Sequence, residues 1–332
     1  MSELMEPNEN DNRQGHQLAL QSPEDIYFAI HEKINAKNEE VSKAYKEDLL
    51  LQYEDIKELH LKTSQTITSF SPKGGVPGLR IAITHNEGES EKFNSFEDFE
   101  KHNITNPNPT SSVIFIYSFT IYDEASKQIE HYKITNKLSS RLSKLNQIEK
   151  EAPPFISRHL IVNFVSKTAE IKVEHSDYVK ARTFIAMFDD WVKGCRKSDT
   201  TNKKLNPLKH YSHLIPKFGK LTIYALLAIF TALAVDSSIV DIQSAVKFLV
   251  FYISIFVILG STSKMFLNKI ERAIDNNIVL SYINICKGDK NLINKYSKRN
   301  KKSFWLGMFG LAGTITLGIL SAYIYDIIKP YI

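Results

Sequence analysis

The chain has 332 residues with 42 Lys+Arg, 37 Asp+Glu and only two cysteines, which leaves room for two or three structural units and excludes a disulfide-stapled scaffold. Its charge is split: residues 1–195 carry 23 basic and 30 acidic side chains, and residues 196–332 carry 19 and 7. Basic residues gathered beside apolar runs are topology signals and contacts for anionic headgroups rather than a nucleic-acid footprint, so no nucleic acid is expected as a partner.

Residues 1–21 are polar and have no apolar h-region, so a mobile tail and no cleaved signal peptide are expected. Ser22, Pro23, Glu24 and Asp25 form a helix-start pattern, followed by Ile26, Phe28, Ile30 and Ile34. The apolar spacing thins through Lys37–Glu47 and resumes at Leu49, Leu50, Tyr53, Ile56, Leu59 and Leu61, which predicts two helices or one long one. Pro72, Gly74, Gly75, Pro77 and Gly78 break the pattern. A phosphate loop would need a closing Gly-Lys-Ser/Thr that GGVPG lacks, so the stretch predicts a plain loop.

From Leu79 the period becomes that of strands. Leu79, Ile81 and Ile83 alternate, Asn86–Ser90 predicts a turn, and Ser95, Phe96 and Phe99 a short capped helix stopped by Asn103–Pro109. Val113–Tyr122 and Gln128–Thr135 predict a hairpin, residues 139–155 a connecting helix or loop, and Leu160–Val165 with Ala169–Val173 a second hairpin. An amphipathic helix with Tyr178, Ala181, Ile185, Phe188 and Val192 on its apolar face, and Phe184 and Trp191 alongside, closes the unit. The expected fold class is α+β: an antiparallel-sheet cytosolic domain with flanking helices over residues 22–195, a basic linker at 196–220, and an all-α membrane module at 221–328.

Three apolar runs define that module, with spans expected at about 218–236, 245–267 and 304–328 and a cytosolic insert at 268–303. The first has only 15 uncharged residues, Leu221–Val235, so a re-entrant hairpin beside two spans is the alternative. Arg196–Lys220 carries seven bases and one acid, Asp236–Lys247 one base and two acids, and Lys264–Lys302 ten bases and three acids. Short loops rich in Lys/Arg stay in the cytosol, which predicts an inner-membrane protein with a cytosolic N-terminus and an extracytosolic C-terminus.

Within the third run Gly310, Thr314, Gly318 and Ala322 stand four apart with Gly307 and Gly313 close beside them, a small-residue face suited to helix packing and to a homo-oligomer. Trp305, Tyr323, Tyr325, Lys220, Lys247 and Lys264 are the expected membrane-interface residues. No span carries a central charge, which counts against a secondary transporter. Ile270, Ile274, Ile278, Tyr282 and Ile285 keep helical spacing beyond the second run and form an apolar edge for the soluble domain or a neighbour, whereas Lys287–Lys302 reads as a loop facing lipid.

Chemistry-bearing patterns are sparse. His210 and His213 share a helical face without an acidic or thiol partner nearby, Asp189 and Asp190 point in different directions, and neither Cys195 nor Cys286 has a histidine close in sequence. No catalytic residue, cofactor or metal is expected, and the chain reads as non-enzymatic. The layout resembles that of sensor-plus-membrane effectors in bacterial antiviral systems. It implies a cytosolic domain that takes an unidentified ligand or protein and controls a self-associating module that disrupts the bilayer. A passive membrane-anchored scaffold and a membrane-tethered enzyme are the alternatives.

Overall fold

A computed structural model describes residues 39–123, 128–151, 167–198, 208–238 and 242–328. The expected helix from Ser22 to Ile34 and the strand Leu160–Val165 lie outside them. The part up to Gly194 is α+β, with an antiparallel sheet and flanking helices.

The elements are β1 (Glu39–Tyr45), β2 (Leu50–Gln52), α1 (Tyr53–Ser69), β3 (Lys73–His85), β4 (Ser90–Phe93), α2 (Phe96–Glu100), β5 (Thr110–Asp123), β6 (Gln128–Ser139), α3 (Arg141–Glu151), β7 (Ala169–His175) and α4 (Tyr178–Gly194). After them come α5 (Leu214–Ser238), α6 (Ile242–Asn276), β8 (Tyr282–Asn284) and α7 (Lys287–Ile328). Six strands form one sheet in the order β1-β7-β6-β5-β3-β4, every neighbouring pair antiparallel.

The sheet's centre is the predicted hairpin, β5 paired with β6 from Ser112↔Ser139 to Asp123↔Gln128. Alternation puts Val113, Phe115, Tyr117, Phe119 and Ile121 of β5 on the buried face, with Tyr132, Ile134 and Leu138 beside them. Helices α1 and α4 cover this face with Ile56, Leu59, Ile67, Phe184, Ile185, Phe188 and Trp191. The Trp191 indole N–H donates to the Asp55 carbonyl at 3.0 Å and ties the helices together. The predicted start signal at Ser95 holds, its Oγ accepting the Asp98 amide, and Asp177 caps α4 in the same way by accepting the Val179 amide. Tyr178, placed by its spacing on the apolar face of α4, is 54% exposed, with its ring edge-on to His175 at 5.9 Å.

Several segments differ from the sequence reading, among them Leu50–Gln52, read with the second helical stripe and found as strand β2. Residues 39–45, read as the thin stretch between two helices or the middle of one long one, form strand β1 in a seven-residue register with β7. Val41 and Tyr45 are the only large apolar side chains there, too few for a helical stripe. The stretch from Lys73, expected as a loop, belongs to β3, whose pairing with β5 shifts register between Lys73 and Gly78. Pro77 cannot donate to the ladder, and the register shift falls across it. Lys287–Lys302 is not a loop but the first part of the 42-residue helix α7.

Among the described residues one helix is long and apolar enough to cross a membrane, Ala245–Asn276 within α6. Its side chains Leu249, Val250, Ile253, Val257 and Ile258 are more than half exposed. Helix α5 packs on it through Tyr224, whose ring stacks on Phe256 at 4.1 Å and lies over Gly260. Helix α7 packs along the same helix through glycines.

Candidate functional site: the junction between the sheet domain and the long helices

The chain leaves α6 at Asn276 and re-enters helix at Lys287, and the connection between them is built into the sheet domain. β8 runs parallel to β2 in the register Leu50↔Tyr282 to Gln52↔Asn284. The Tyr282 amide donates to the Leu49 carbonyl at 3.1 Å, and the Asn284 side chain donates to Gln52 Oε1 at 2.7 Å. Ile283 and Ile285 join the main core. A second, smaller core sits beside it, where Leu142 and Leu145 of α3 meet Ile278, Leu292 and Tyr296. The apolar edge expected at Ile278, Tyr282 and Ile285 therefore packs on the sheet domain of its own chain, although those residues are not helical.

Asp289 is the third residue of α7 and is 1% exposed. Its carboxylate accepts the Thr110 amide at 2.6 Å and the Thr110 hydroxyl at 2.9 Å, fixing the first residue of β5. It also accepts the Ile285 and Cys286 amides, both at 3.1 Å, and the Cys286 thiol at 3.2 Å. An acid at this position satisfies amides that an α-helix leaves unpaired and sits at the positive end of its dipole. One side chain thus both starts α7 and attaches it to the sheet.

The loop before β5 closes around the same point. The Lys287 amide donates to the Ile104 carbonyl at 2.8 Å and the Gly288 amide to the Asn106 carbonyl at 2.9 Å. A Cβ on Gly288 would stand 2.4 Å from the Pro107 carbonyl oxygen, so only glycine fits. The loop is shaped by its asparagines: Asn106 accepts the Asn108 amide at 2.9 Å, and both donate to Glu89 at 3.3 Å. His102, 6% exposed, holds its ring between the Phe99 and Ile285 carbonyls at 2.8 and 3.0 Å.

Toward the long helices the contacts become ionic. Arg299 pairs with Glu149 at 3.2 Å, Tyr296 donates to the same carboxylate at 3.0 Å, and Lys295 donates to Asn146 at 3.1 Å. Asn300 takes both the amide and the carbonyl of Ile278, at 2.9 and 2.7 Å. The far end of the linker joins here, with Lys209 donating to the Asn277 carbonyl and Ser212 to Asp275 at 2.6 Å. Its near end is tied to the domain, where the Leu50 amide donates to the Arg196 carbonyl at 2.9 Å.

Burial pushes the Cys286 thiol up to about 11, aided by the charge of Asp289, and burial pushes Cys195 to about 12, aided by Asp55 and Glu58. Such thiols are poor nucleophiles and poor metal ligands at neutral pH. Asp189 and Asp190 do face different ways: Asp189 accepts from Lys43 and Tyr45, whereas Asp190 faces Lys193 in solvent. Among the described residues no group of three or more His, Cys, Asp and Glu could hold a metal ion.

The small-residue face of α7 lies against α6 of the same chain. A Cβ on Gly307 would meet Ala273 at 3.2 Å, on Gly310 would meet Ile270 at 2.7 Å, and on Gly313 would meet Phe266 at 2.2 Å. Thr314 donates back to the Gly310 carbonyl at 2.8 Å. Gly318, Ala322 and Tyr325 lie in α7, with side chains outside the described set. Of the residues expected at the membrane interface, Trp305 and Tyr323 are 55% and 64% exposed, Lys247 and Lys264 are exposed, and Lys220 lies over the Tyr224 ring.

Asp289, Gly288, His102, Asn106 and Asn108 were not singled out from the sequence. The available signal was Asp289 three residues after Cys286, a helix-start spacing within a stretch read as loop. No protein-family model matches the chain, and no curated protein does. The fold and junction define the class: an α+β domain mounted on long helices, one of which has the length and apolarity of a membrane span.

Proposed function

We propose that the chain is a non-enzymatic integral membrane protein, in a bacterial inner membrane, whose cytosolic α+β domain controls the packing of three membrane helices. The observation that carries this reading is the Asp289 clamp with the β2–β8 pair. A passive anchor needs neither, because one span on a flexible tether would hold a domain at the membrane. Here the turn between two helices is part of the domain, so a shift of the domain acts directly on the ends of α6 and α7. The coupling element is this connection rather than the basic linker.

The seam between α6 and α7 then becomes the responsive part. Its glycine face is filled by α6 within one chain, and withdrawing it makes that face available to a second copy. Self-association and loss of the bilayer's barrier follow from the same movement, which is the behaviour of a membrane-disrupting defence effector. Replacing Gly310, Thr314 and Gly318 by leucine or isoleucine tests this. Altered oligomeric state and altered viability on overexpression support the effector reading; if both are unchanged, the helices are passive and the scaffold reading takes its place.

A further inference from the structure

Contacts at the glycines fix how far each long helix is displaced along its neighbour. Gly307 stands against Ala273, Gly310 against Ile270 and Gly313 against Phe266, so α7 runs antiparallel to α6 and one step along it matches one step back along α6. Gly313 is then level with the end of the apolar part of α6 at Leu267, and Phe304 is level with Asn276. Helix α5 is placed differently. Gly219 meets Leu267 and Tyr224 lies on Gly260, so the apolar run of α5 from Leu221 starts beside the same end of the apolar part of α6.

The apolar run of α7 therefore begins about nine residues, or roughly 13 Å at ~1.5 Å per residue, before the level shared by α5 and α6. Over that length Phe304, Trp305, Met308, Phe309 and Leu311 are 46–65% exposed, level with the segment of α6 that carries Lys269, Glu271, Arg272 and Asp275. The displacement recurs at the other end, where Ile328 is level with Tyr252 and apolar Ala245–Phe251 extends beyond it. Only Gly313–Ile328 shares the apolar slab of α6, about 24 Å of helix where a hydrocarbon core is ~30 Å thick. Tilt does not remove the difference. Helices ~8 Å apart would have to lean by roughly 60° to level a ~13 Å displacement, and spans lean by about 0–40°.

We propose that the inner leaflet steps inward around α7: its acyl chains cover Phe304–Leu311 and its phosphates meet Lys301 and Lys302, while beside α5 and α6 its hydrocarbon ends near Leu267. This rests on the membrane reading above and goes beyond it, because the three helices then share no single flat slab. The charges on α7 fit a headgroup layer, with Lys298, Lys301 and Lys302 exposed just before Phe304. On α6 the exposed Arg272 and Asp275 stand at the level of the α7 aromatics and belong outside hydrocarbon. One plane would leave either the apolar side chains of α7 in water or these charges of α6 in hydrocarbon, and a step avoids both. Where the two levels meet, the hydrocarbon common to both is only about 24 Å thick, which lowers the bilayer's barrier along the α6–α7 seam.

Spin labels on the full chain in phosphatidylethanolamine–phosphatidylglycerol vesicles measure this, through collision with oxygen, which enters hydrocarbon, and with chromium oxalate, a charged complex kept out of it. Phe309→Cys reports α7, Arg272→Cys reports α6 at nearly the same level, and Val257→Cys reports the middle of the apolar part of α6. All three positions are exposed, and the native cysteines are buried. The oxygen-to-chromium accessibility ratio at Phe309 is expected to match that at Val257 within ~2-fold and to exceed that at Arg272 by at least ~10-fold. Equal low ratios at Phe309 and Arg272 mean a flat leaflet that leaves α7 in water, equal high ratios a flat leaflet that takes in both, and either overturns the step. Shielding of Phe309 from both reagents means that protein covers this face, which overturns the lipid assignment. A low ratio at Val257 shows that α6 is not in a bilayer, so the membrane reading itself fails and not the step alone. Met308→Cys, on the same face, replaces Phe309→Cys should that variant fail to fold.

Discussion

Asp289 and Thr110 are separated by 179 residues in sequence and joined by two hydrogen bonds of 2.6 and 2.9 Å, so the first residue of the central strand and the first turn of the last helix share one buried carboxylate. Removing that carboxylate leaves the amides of Thr110, Ile285 and Cys286 without their acceptor in a site water does not reach. Asp289→Ala is expected to destabilise the junction by at least about 3 kcal/mol. Asp289→Asn, which retains one acceptor oxygen, should cost less, about 1–2 kcal/mol. Limited proteolysis across residues 277–286 reads the difference, with cleavage fastest in the alanine variant. Equal protection of all three forms would remove Asp289 from the clamp.

Gly288 is constrained from the other side. A single methyl group must displace the Pro107 carbonyl, which is backbone and held by the asparagine-shaped loop. Gly288→Ala is expected to lower the melting temperature by several degrees, comparable to an overpacked core position, at a cost of about 1–3 kcal/mol. Gly194→Ala, with nothing within 4 Å of the added Cβ, is the matched control and should change little.

Much of the sheet domain was legible because its signals are local. Val113–Tyr122 is nearly all β-branched or aromatic, enough to mark a strand in any context, and Ser95 marks a helix start through the side chain that caps it. The junction was hidden for the opposite reason. β8 is three residues long and parallel to a partner some 230 positions away, a pairing no local pattern encodes. Lys287–Lys302 is nearly all polar and helical only because Leu292 and Tyr296 dock on Leu142 and Leu145, so its composition resembles a solvated loop. The small-residue face of α7 was visible as a pattern, but spacing alone does not say whose helix fills it.

Gly307 and Ala273 bring α7 and α6 close enough for a direct crosslink, since a Cβ built on Gly307 stands 3.2 Å from that of Ala273. The distance is slightly below the usual disulfide range and within reach of a small backbone adjustment. Ala273→Cys combined with Gly307→Cys is expected to oxidise readily in membranes. The bond, formed with an added oxidant in isolated protein because the cytosol would keep these thiols reduced, and observed by gel mobility before and after reduction, should suppress dye leakage from reconstituted vesicles, with leakage restored on reduction. Continued leakage with the bond fully formed would show that α6 and α7 need not separate.

The native cysteines permit that experiment, and their own reactivity is a last test of the packing. Burial holds Cys286 near 11 and Cys195 near 12, above the ordinary thiol value, so the neutral thiol prevails across the physiological range. The thiolate fraction of each rises about tenfold per pH unit until the pH approaches those values, and alkylation should follow it. Native protein at pH 8 is therefore expected to resist iodoacetamide, with both sites labelling rapidly once the chain is unfolded. Cys286 should also become reactive in Asp289→Ala, because the opened junction admits both water and reagent, while Cys195, buried in the main core, should not. Labelling of both at equal rates in that variant would mean that the whole domain, and not the junction alone, depends on the Asp289 carboxylate.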